Sequence, residues 1–181
     1  MNIHYFTPFS ITKDIGGAIN KHCDLVKNPD DWIVILDGDM MFLQPDWGVV
    51  IHNALEKDGD KFGLIGCYTN RLRGLHQLHN NAISHDHDIL NHYKIAEEYQ
   101  GKEGISDLNL FGVAGIFMAF KKSTYDKVGG FNQNNITADT YFNLKVRKLG
   151  MKIGIINGLY VYHAYRPWNN INPADDWTHL K

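Results

Sequence analysis

The sequence has only two cysteines, no basic leader ahead of an apolar stretch, no apolar run of membrane-spanning length and no surplus of charge of either sign. Each shortage excludes something. Cys23 and Cys67 lie in separate segments without the spacing of a metal-binding pair, and two thiols cannot build a disulfide framework, which points to a reducing, cytoplasmic setting. The opening eight residues lack the charged, apolar and small-residue succession of a secretory leader, so secretion is not expected. The longest apolar runs, such as residues 113–120, fall far short of the ~20 residues a membrane helix needs, so no integral membrane segment is expected. Eighteen Lys plus Arg against 20 Asp plus Glu leave a formal charge of −2. That field is too weak to draw the chain to nucleic acid, and any polyanion must be met locally.

What is present is ordinary for a globular domain: 181 residues, 44% hydrophobic, 21% charged, with 17 glycines and no biased tract. The length suits a single domain over residues 1–181. No internal repeat and no heptad run is visible.

Short apolar runs recur at residues 3–6, 32–36, 62–67, 113–120 and 152–163, and their length and branching suit buried strands. Between the first two, Ile15, Ala18, Ile19, Cys23 and Val26 recur at three- and four-residue spacing and put an apolar stripe on a helix. Pro45 and Asp46 suit the start of a second helix whose Trp47, Val50, Ile51, Ala54 and Leu55 face the core. A third helix is expected over residues 86–99, ended by Gly101, and a fourth from Thr137, with Phe142, Val146 and Leu149 inward and Gly150 as its stop. Strands alternating with helices imply an α/β fold, a mixed and mostly parallel sheet flanked by helices, with antiparallel neighbours admitted around residues 63–67 and 113–120. Residues 101–109 read as a loop. Residues 167–181, with Trp168 and Trp177 among Asn, Pro and Asp, are either a lid or a packed terminus.

Asp37-Gly38-Asp39 closes the run Ile33-Val-Ile-Leu36 and so delivers two carboxylates at a strand's carboxyl end, where ligands sit in open α/β sheets. Side chains two apart in a strand point the same way, and Gly38 between them lets a ligand approach the backbone. Such hard oxygens suit Mg²⁺ or Mn²⁺ with positions left for phosphate. Taken alone, the motif is equally a polar turn.

Three further stretches accompany it: Lys13-Asp-Ile-Gly-Gly-Ala-Ile-Asn20, then Val113-Ala-Gly-Ile-Phe-Met-Ala-Phe120 with Val128-Gly-Gly-Phe131, then Thr137-Ala-Asp-Thr-Tyr-Phe-Asn-Leu-Lys-Val-Arg-Lys-Leu-Gly150. In this order the four resemble glycosyltransferase family 2 and related enzymes of the A-type nucleotide-sugar fold, over nearly the whole chain from Ile3 to about Arg166. The resemblance implies a Rossmann-like nucleotide-diphospho-sugar transferase fold. It also implies metal-dependent transfer of a sugar from a nucleotide-diphosphate donor to a glycan, glycolipid or glycoprotein acceptor. The chain departs from the family in two places. It lacks the usual first strand–helix unit, so Thr7, Pro8 and Phe9 would replace that strand's base contacts. Ala138-Asp139 stands where the family has Glu-Asp, which leaves one carboxylate instead of two.

Carried onto these residues, the resemblance implies that Asp39 binds Mn²⁺ or Mg²⁺ directly and that Asp37 assists through the metal's water or the donor ribose. His163, closing Leu159-Tyr-Val-Tyr-His163, would complete the set, and an imidazole favours Mn²⁺. Lys13, Asp14, Gly16 and Asn20 on the preceding helix, with the backbone at Gly38 and Gly115, would border the donor. Lys13, Arg71 and Arg166 are further candidates for phosphate. Asp139, in a first helical turn where the dipole favours its ionised form, would accept the proton of the acceptor hydroxyl and so give inversion. Each has a plain alternative: a strand-end histidine that packs, a carboxylate that stabilises a helix start, a glycine that marks tight packing or a bulge.

Five of the ten histidines fall in residues 74–92, where irregular spacing and the absence of cysteine favour exposed loop histidines near the acceptor over a zinc site. Two other functions compete. A haloacid-dehalogenase-like phosphohydrolase would use Asp37 as nucleophile and Asp39 as acid/base, but Met41 fits that motif poorly. A non-catalytic glycan-binding relic of the transferase fold would hold carbohydrate without turnover.

Overall fold

A computed structural model describes residues 1–134 and 137–165 of the chain; Arg166 and the expected lid or tail at 167–181 lie outside the described residues. In chain order the elements are β1 (Ile3–Phe6), α1 (Ile15–Cys23), β2 (Trp32–Leu36), β3 (Met40–Phe42), α2 (Trp47–Asp58), β4 (Phe62–Thr69), α3 (Ile89–Glu97), β5 (Ile105–Asp107), β6 (Phe117–Lys121), α4 (Lys122–Val128), α5 (Ala138–Lys148) and β7 (Lys152–His163). One mixed sheet runs β1-β2-β6-β4-β7-β3, with β5 also on β7. This is an α/β protein.

The central strands β2, β4, β6 and β7 are buried on both faces, and their alternation divides two cores. Ile33 and Ile35 of β2 with Met118 and Phe120 of β6 face α1, α4 and α5, where Ile19, Cys23, Tyr125, Phe142 and Val146 meet them. Trp32, Val34, Phe117 and Ala119 face the other way, onto Ile51, Ala54 and Leu55 of α2. Each large side chain so buried stabilises the fold by roughly 1.5–3 kcal/mol. A third cluster, Leu43, Ala96, Tyr99, Tyr160 and Tyr162, seats α3 on the end of β7.

β1, β2, β4 and β7 share one direction, so their carboxyl ends meet at one edge of the sheet. The mixed sheet is as expected, but "mostly parallel" is true of direction and not of pairing. Parallel ladders join only β1 to β2 and β4 to β7, because β6 inserts between β2 and β4 and opposes both. Both short strands on the free edge of β7 are antiparallel as well. Between them the Gln44 side chain stands in for a strand, donating to Gly158 O at 2.8 Å and accepting from Tyr160 N at 3.4 Å.

Several expectations need correction. Residues 101–109 are not simply a loop, since β5 pairs there with β7. The strand expected over 113–120 begins only at Phe117, because the N–H groups of Val113, Ala114 and Gly115 are taken by the side chains of Asn143, Gln77 and Asp139 and cannot join a ladder. Leu149 caps α5 and is 48% exposed, while Phe142 and Val146 are fully buried as expected. β3 and α4 were not anticipated: a three-residue strand has too little pattern to read, and α4 lacks a long apolar period.

Candidate functional site

The carboxyl edge of the parallel strands holds a cleft of about 700 Å³ whose lining includes Pro8, Asp37, Gln77, Gly115, Asp139 and His163. Each arrives from a different element. Pro8 follows β1, Asp37 follows β2, Gln77 lies in the helical turn after β4, Gly115 leads into β6, Asp139 opens α5 and His163 ends β7.

β3 is what joins Asp39 to His163. Its ladder against β7 pairs Met40 with His163, and Ala164 N donates to Asp39 O at 2.9 Å. The histidine is then clamped from the end of β4. Asn70 Oδ1 accepts His163 N–H at 2.7 Å, Asn70 Nδ2 donates to His163 O at 3.2 Å, and His163 Nδ1 donates to Arg71 O at 2.7 Å. That last bond sets the tautomer. In the neutral ring Nε2 carries a lone pair, buried and without a hydrogen-bond partner, 3.2 Å from Asp39 Oδ1. Two acceptors at this distance repel unless a proton or a cation lies between them. Asp37, Asp39 and His163 each offer one ligand atom, all within 4.8 Å of one another, with the carboxylates exposed and the imidazole buried.

The two carboxylates differ. Asp37 is open to solvent, yet the surrounding cleft walls strip part of its water, and this desolvation, then the charge of Asp39, raise it above the ordinary aspartate range. Burial pushes Asp39 up too, but a proton on His163 Nε2, through its hydrogen bond and charge, outweighs burial and holds Asp39 below that range, the part a cation could play in its place. Asp37 is held in place by its own N–H, which donates to Ile116 O at 3.0 Å.

Asp139 sits across the cleft, partly buried. Its Oδ2 accepts Gly115 N–H at 3.1 Å and its Oδ1 accepts Thr140 N–H at 2.7 Å. Burial raises its carboxyl despite these donors. Residues 113–116 thus tie the two acids together, bonding Asp139 at Gly115 and Asp37 at Ile116. Asn143 holds Val113 by both N–H and C=O at 2.8 Å, and buried Gln77 holds Ala114 N at 2.7 Å while donating to Cys67 O at 3.0 Å.

Other residues singled out in the sequence lie elsewhere or serve the fold. Asp14 caps α1, its Oδ1 accepting Gly17 N at 2.9 Å and Asn134 N at 2.7 Å, and these two backbone donors lower its carboxyl. Gly16 is buried so tightly that an added Cβ would fall 1.9 Å from Asn132 O. Asn20 accepts Phe131 N at 2.8 Å and donates to Phe131 O at 2.9 Å, so it binds α1 to the Gly-Gly-Phe turn. Lys13 is exposed with φ 61°, and Thr7 and Phe9 are exposed beside Pro8. Around Gly38 and Gly115 there is room: a Cβ would meet only Thr7 Cγ2 at 3.9 Å, or Asp139 at 3.6 Å and beyond.

Arg71 is fully buried with Nη1 3.1 Å from His85 Nδ1, whereas Arg73 lines the cleft. The histidines of residues 74–92 are not simply exposed. His92 is fully buried against Tyr160, His79 and His87 meet the hydroxyls of Tyr99 and Tyr162, and His76 lines the cleft. Among the described residues they form no metal-holding group. Asn70, Gln77 and Asn143 escaped the sequence reading, since a lone amide carries no pattern until its backbone partners are known.

The described fold and site define an α/β protein with a carboxylate–imidazole cluster at the carboxyl edge of its sheet. No model of a known protein family matches the chain, and no curated protein matches it either.

Proposed function

We propose that this protein is a divalent-metal-dependent glycosyltransferase of the A-type nucleotide-sugar fold, moving a sugar from a nucleotide-diphosphate donor to a hydroxyl of a glycan, glycolipid or glycoprotein. The observation that carries the reading is the buried Nε2 lone pair of His163 aimed at Asp39, with Asp37 close by. One nitrogen and two carboxylate oxygens are a donor set suited to Mn²⁺, and Mg²⁺ would accept the oxygens. A cation held by these residues would supply Lewis-acid stabilisation of the negative charge on a departing nucleotide diphosphate.

The remaining steps fall to the chain's own groups. Asp139, its basicity increased by burial, accepts the proton of the acceptor hydroxyl as that oxygen bonds to the anomeric carbon. The bond from carbon to the diphosphate oxygen breaks with its electron pair leaving on the oxygen, and in-line displacement inverts the anomeric centre. Gly38 and Gly115 leave space for the donor, which a methyl group would narrow without disturbing the protein. Arg73 and Arg147, and not the buried Arg71, line the cleft in which phosphate would lie. The cytoplasm is the proposed setting, which the two buried free thiols suit.

A thermal-shift panel of nucleotide sugars with Mn²⁺ or Mg²⁺, followed by donor turnover, tests the reading. A metal-dependent shift with one nucleotide class is expected, together with turnover that Asp39→Asn and Asp139→Asn each abolish. Unchanged turnover in both variants would overturn the roles given to these residues.

A further inference from the structure

The loop that follows β4 reaches both halves of the cleft. Its first residues, Asn70 and Arg71, clamp His163, whereas its last, the helical turn Leu75–Gln77, grips the stretch that leads into β6. His76 Nε2 donates to Gly112 O at 2.5 Å, and the Gln77 amide spans a gap in the sheet: Oε1 accepts Ala114 N–H at 2.7 Å and Nε2 donates to Cys67 O at 3.0 Å. The ladder between β4 and β6 has a single registered pair, Ile65 with Ala119. Towards the cleft, Gln77 supplies the next rung from a side chain.

Packing leaves Gln77 little choice of position. It is 1% exposed although it lines the cleft, and its two ends meet a donor and an acceptor, which an amide satisfies at once and an ionised carboxylate or a thioether does not. Gly66 makes the room, since a Cβ there would fall 2.9 Å from Gln77 Nε2 and 2.6 Å from Val113 Cγ1. A polar group buried so closely has one stable arrangement, the one in which both ends are bonded.

What the amide holds is the spacing of two acids. Residues 113–115 present three successive N–H groups to the side chains of Asn143, Gln77 and Asp139, and Ile116 O then accepts Asp37 N–H at 3.0 Å. Asn143 and Asp139 stand one turn apart on α5, and Asn143 also donates to Asp139 O at 2.8 Å, so their bonds tie the stretch to α5. Gln77 and His76 tie it to β4 and, through the same loop, to the clamp on His163. Ala114, which Gln77 holds, precedes the glycine whose N–H meets Asp139 Oδ2 at 3.1 Å.

We infer that Gln77 is a positioning residue for Asp139: by bridging Cys67 O and Ala114 N–H it sets Gly115 N–H against the carboxylate that takes the acceptor's proton, and keeps that carboxylate in register with the metal-holding side of the cleft. Its part is played through the backbone at residues 114 and 115. The inference rests on the proposed role of Asp139, but the bond it concerns is measured without metal, donor or acceptor.

The test follows the Gly115 amide of the full chain by ¹H–¹⁵N correlation spectra across pH. An N–H that donates to a carboxylate shifts as that carboxylate titrates, so the Gly115 resonance should follow Asp139 in the native chain and lose that response in Asp139→Asn. Gln77→Met, close in volume but unable to bridge, should lose it too. The Asp139 carboxyl, followed from the Thr140 amide on its other oxygen, should then titrate at higher pH, because a donor to its charged form is gone. Gln44→Met removes a similarly buried bridging amide, from Gly158 O and Tyr160 N, and should leave the Gly115 response as it is. In turnover, Gln77→Met is expected to lower kcat about tenfold or more with donor KM within about twofold, because the metal-binding residues are untouched. An unchanged Gly115 response in Gln77→Met would overturn the inference, as would an equal loss in Gln44→Met or a raised donor KM with native kcat. If Gln77→Met does not fold, Gln77→Asn, a methylene too short to span both partners, answers by the same readout. A native chain with the Gly115 response and no turnover would overturn the transferase reading and leave the bridge from Gln77 to Asp139 standing.

Discussion

The seam where α1 meets the turn at 131–134 and the cleft at the carboxyl edge of the sheet are built from the same residue types, and they use them oppositely. At the seam Asp14, Gly16 and Asn20 are consumed by the protein: the carboxylate by Gly17 and Asn134, the glycine by a close carbonyl, the amide by both backbone groups of Phe131. At the cleft Asp37, Gly38, Asp39 and His163 keep capacity in reserve, with exposed carboxylates, open space above the glycine and an imidazole nitrogen without a hydrogen bond. A polar group already satisfied inside the fold has little left to offer a ligand. The seam positions α1, and the cleft is where binding can occur.

Glycine substitutions should separate the two regions most sharply. Gly16→Ala forces Cβ against Asn132 O and is expected to cost about 3 kcal/mol in urea unfolding, whereas Gly38→Ala should stay within about 0.5 kcal/mol. Equal costs would erase the distinction. Metal titration follows in size: Mn²⁺ at a hundredfold excess over its dissociation constant should stabilise the native chain by about 2.7 kcal/mol. Asp39→Asn should remove that gain, and an unchanged Mn²⁺ shift would return Asp37-Gly-Asp39 to the status of a polar turn.

Asn20→Ala leaves Phe131 N and O without their partners and should cost about 2 kcal/mol, with Mn²⁺ binding intact. Loss of metal binding in this variant would mean that the seam reaches into the site. The smallest effect concerns Asp139. Because burial raises its carboxyl in the folded state, folding favours the protonated form, and stability is lost as pH rises through that titration. Asp139→Asn should therefore be more stable than the native chain at neutral pH, with the difference closing towards the acid side of the ordinary aspartate range. A difference that grew on acidification would contradict the burial of this carboxyl.

The legibility of the chain followed the range of its interactions. The strands at Ile3–Phe6, Trp32–Leu36 and Lys152–His163 were readable to the residue, because short runs rich in branched and aromatic residues end there at polar or turn-forming residues. Helix stops at Gly101 and Gly150 were readable because both positions adopt positive φ, which glycine tolerates. The candidate site was legible only in part. Asp37, Asp39, His163, Gly115 and Asp139 do converge, but the same pattern matching drew in Asp14, Gly16 and Asn20, whose partners lie more than a hundred residues away in the chain.

The amino-acid sequence by itself determined the alternation of strands and helices, the two-sided burial of β2 and the placement of two carboxylates at a strand's end, because each depends on residues adjacent in the chain. Only the tertiary structure decided that β3 would lay Asp39 beside His163, that Asn70 and Arg71 would fix the imidazole's tautomer, and that three amide and carboxylate side chains would hold residues 113–115 out of the sheet. Those choices rest on hydrogen bonds between distant segments. Which atom of a polar residue remains free for chemistry is known only once every other claim on it is seen.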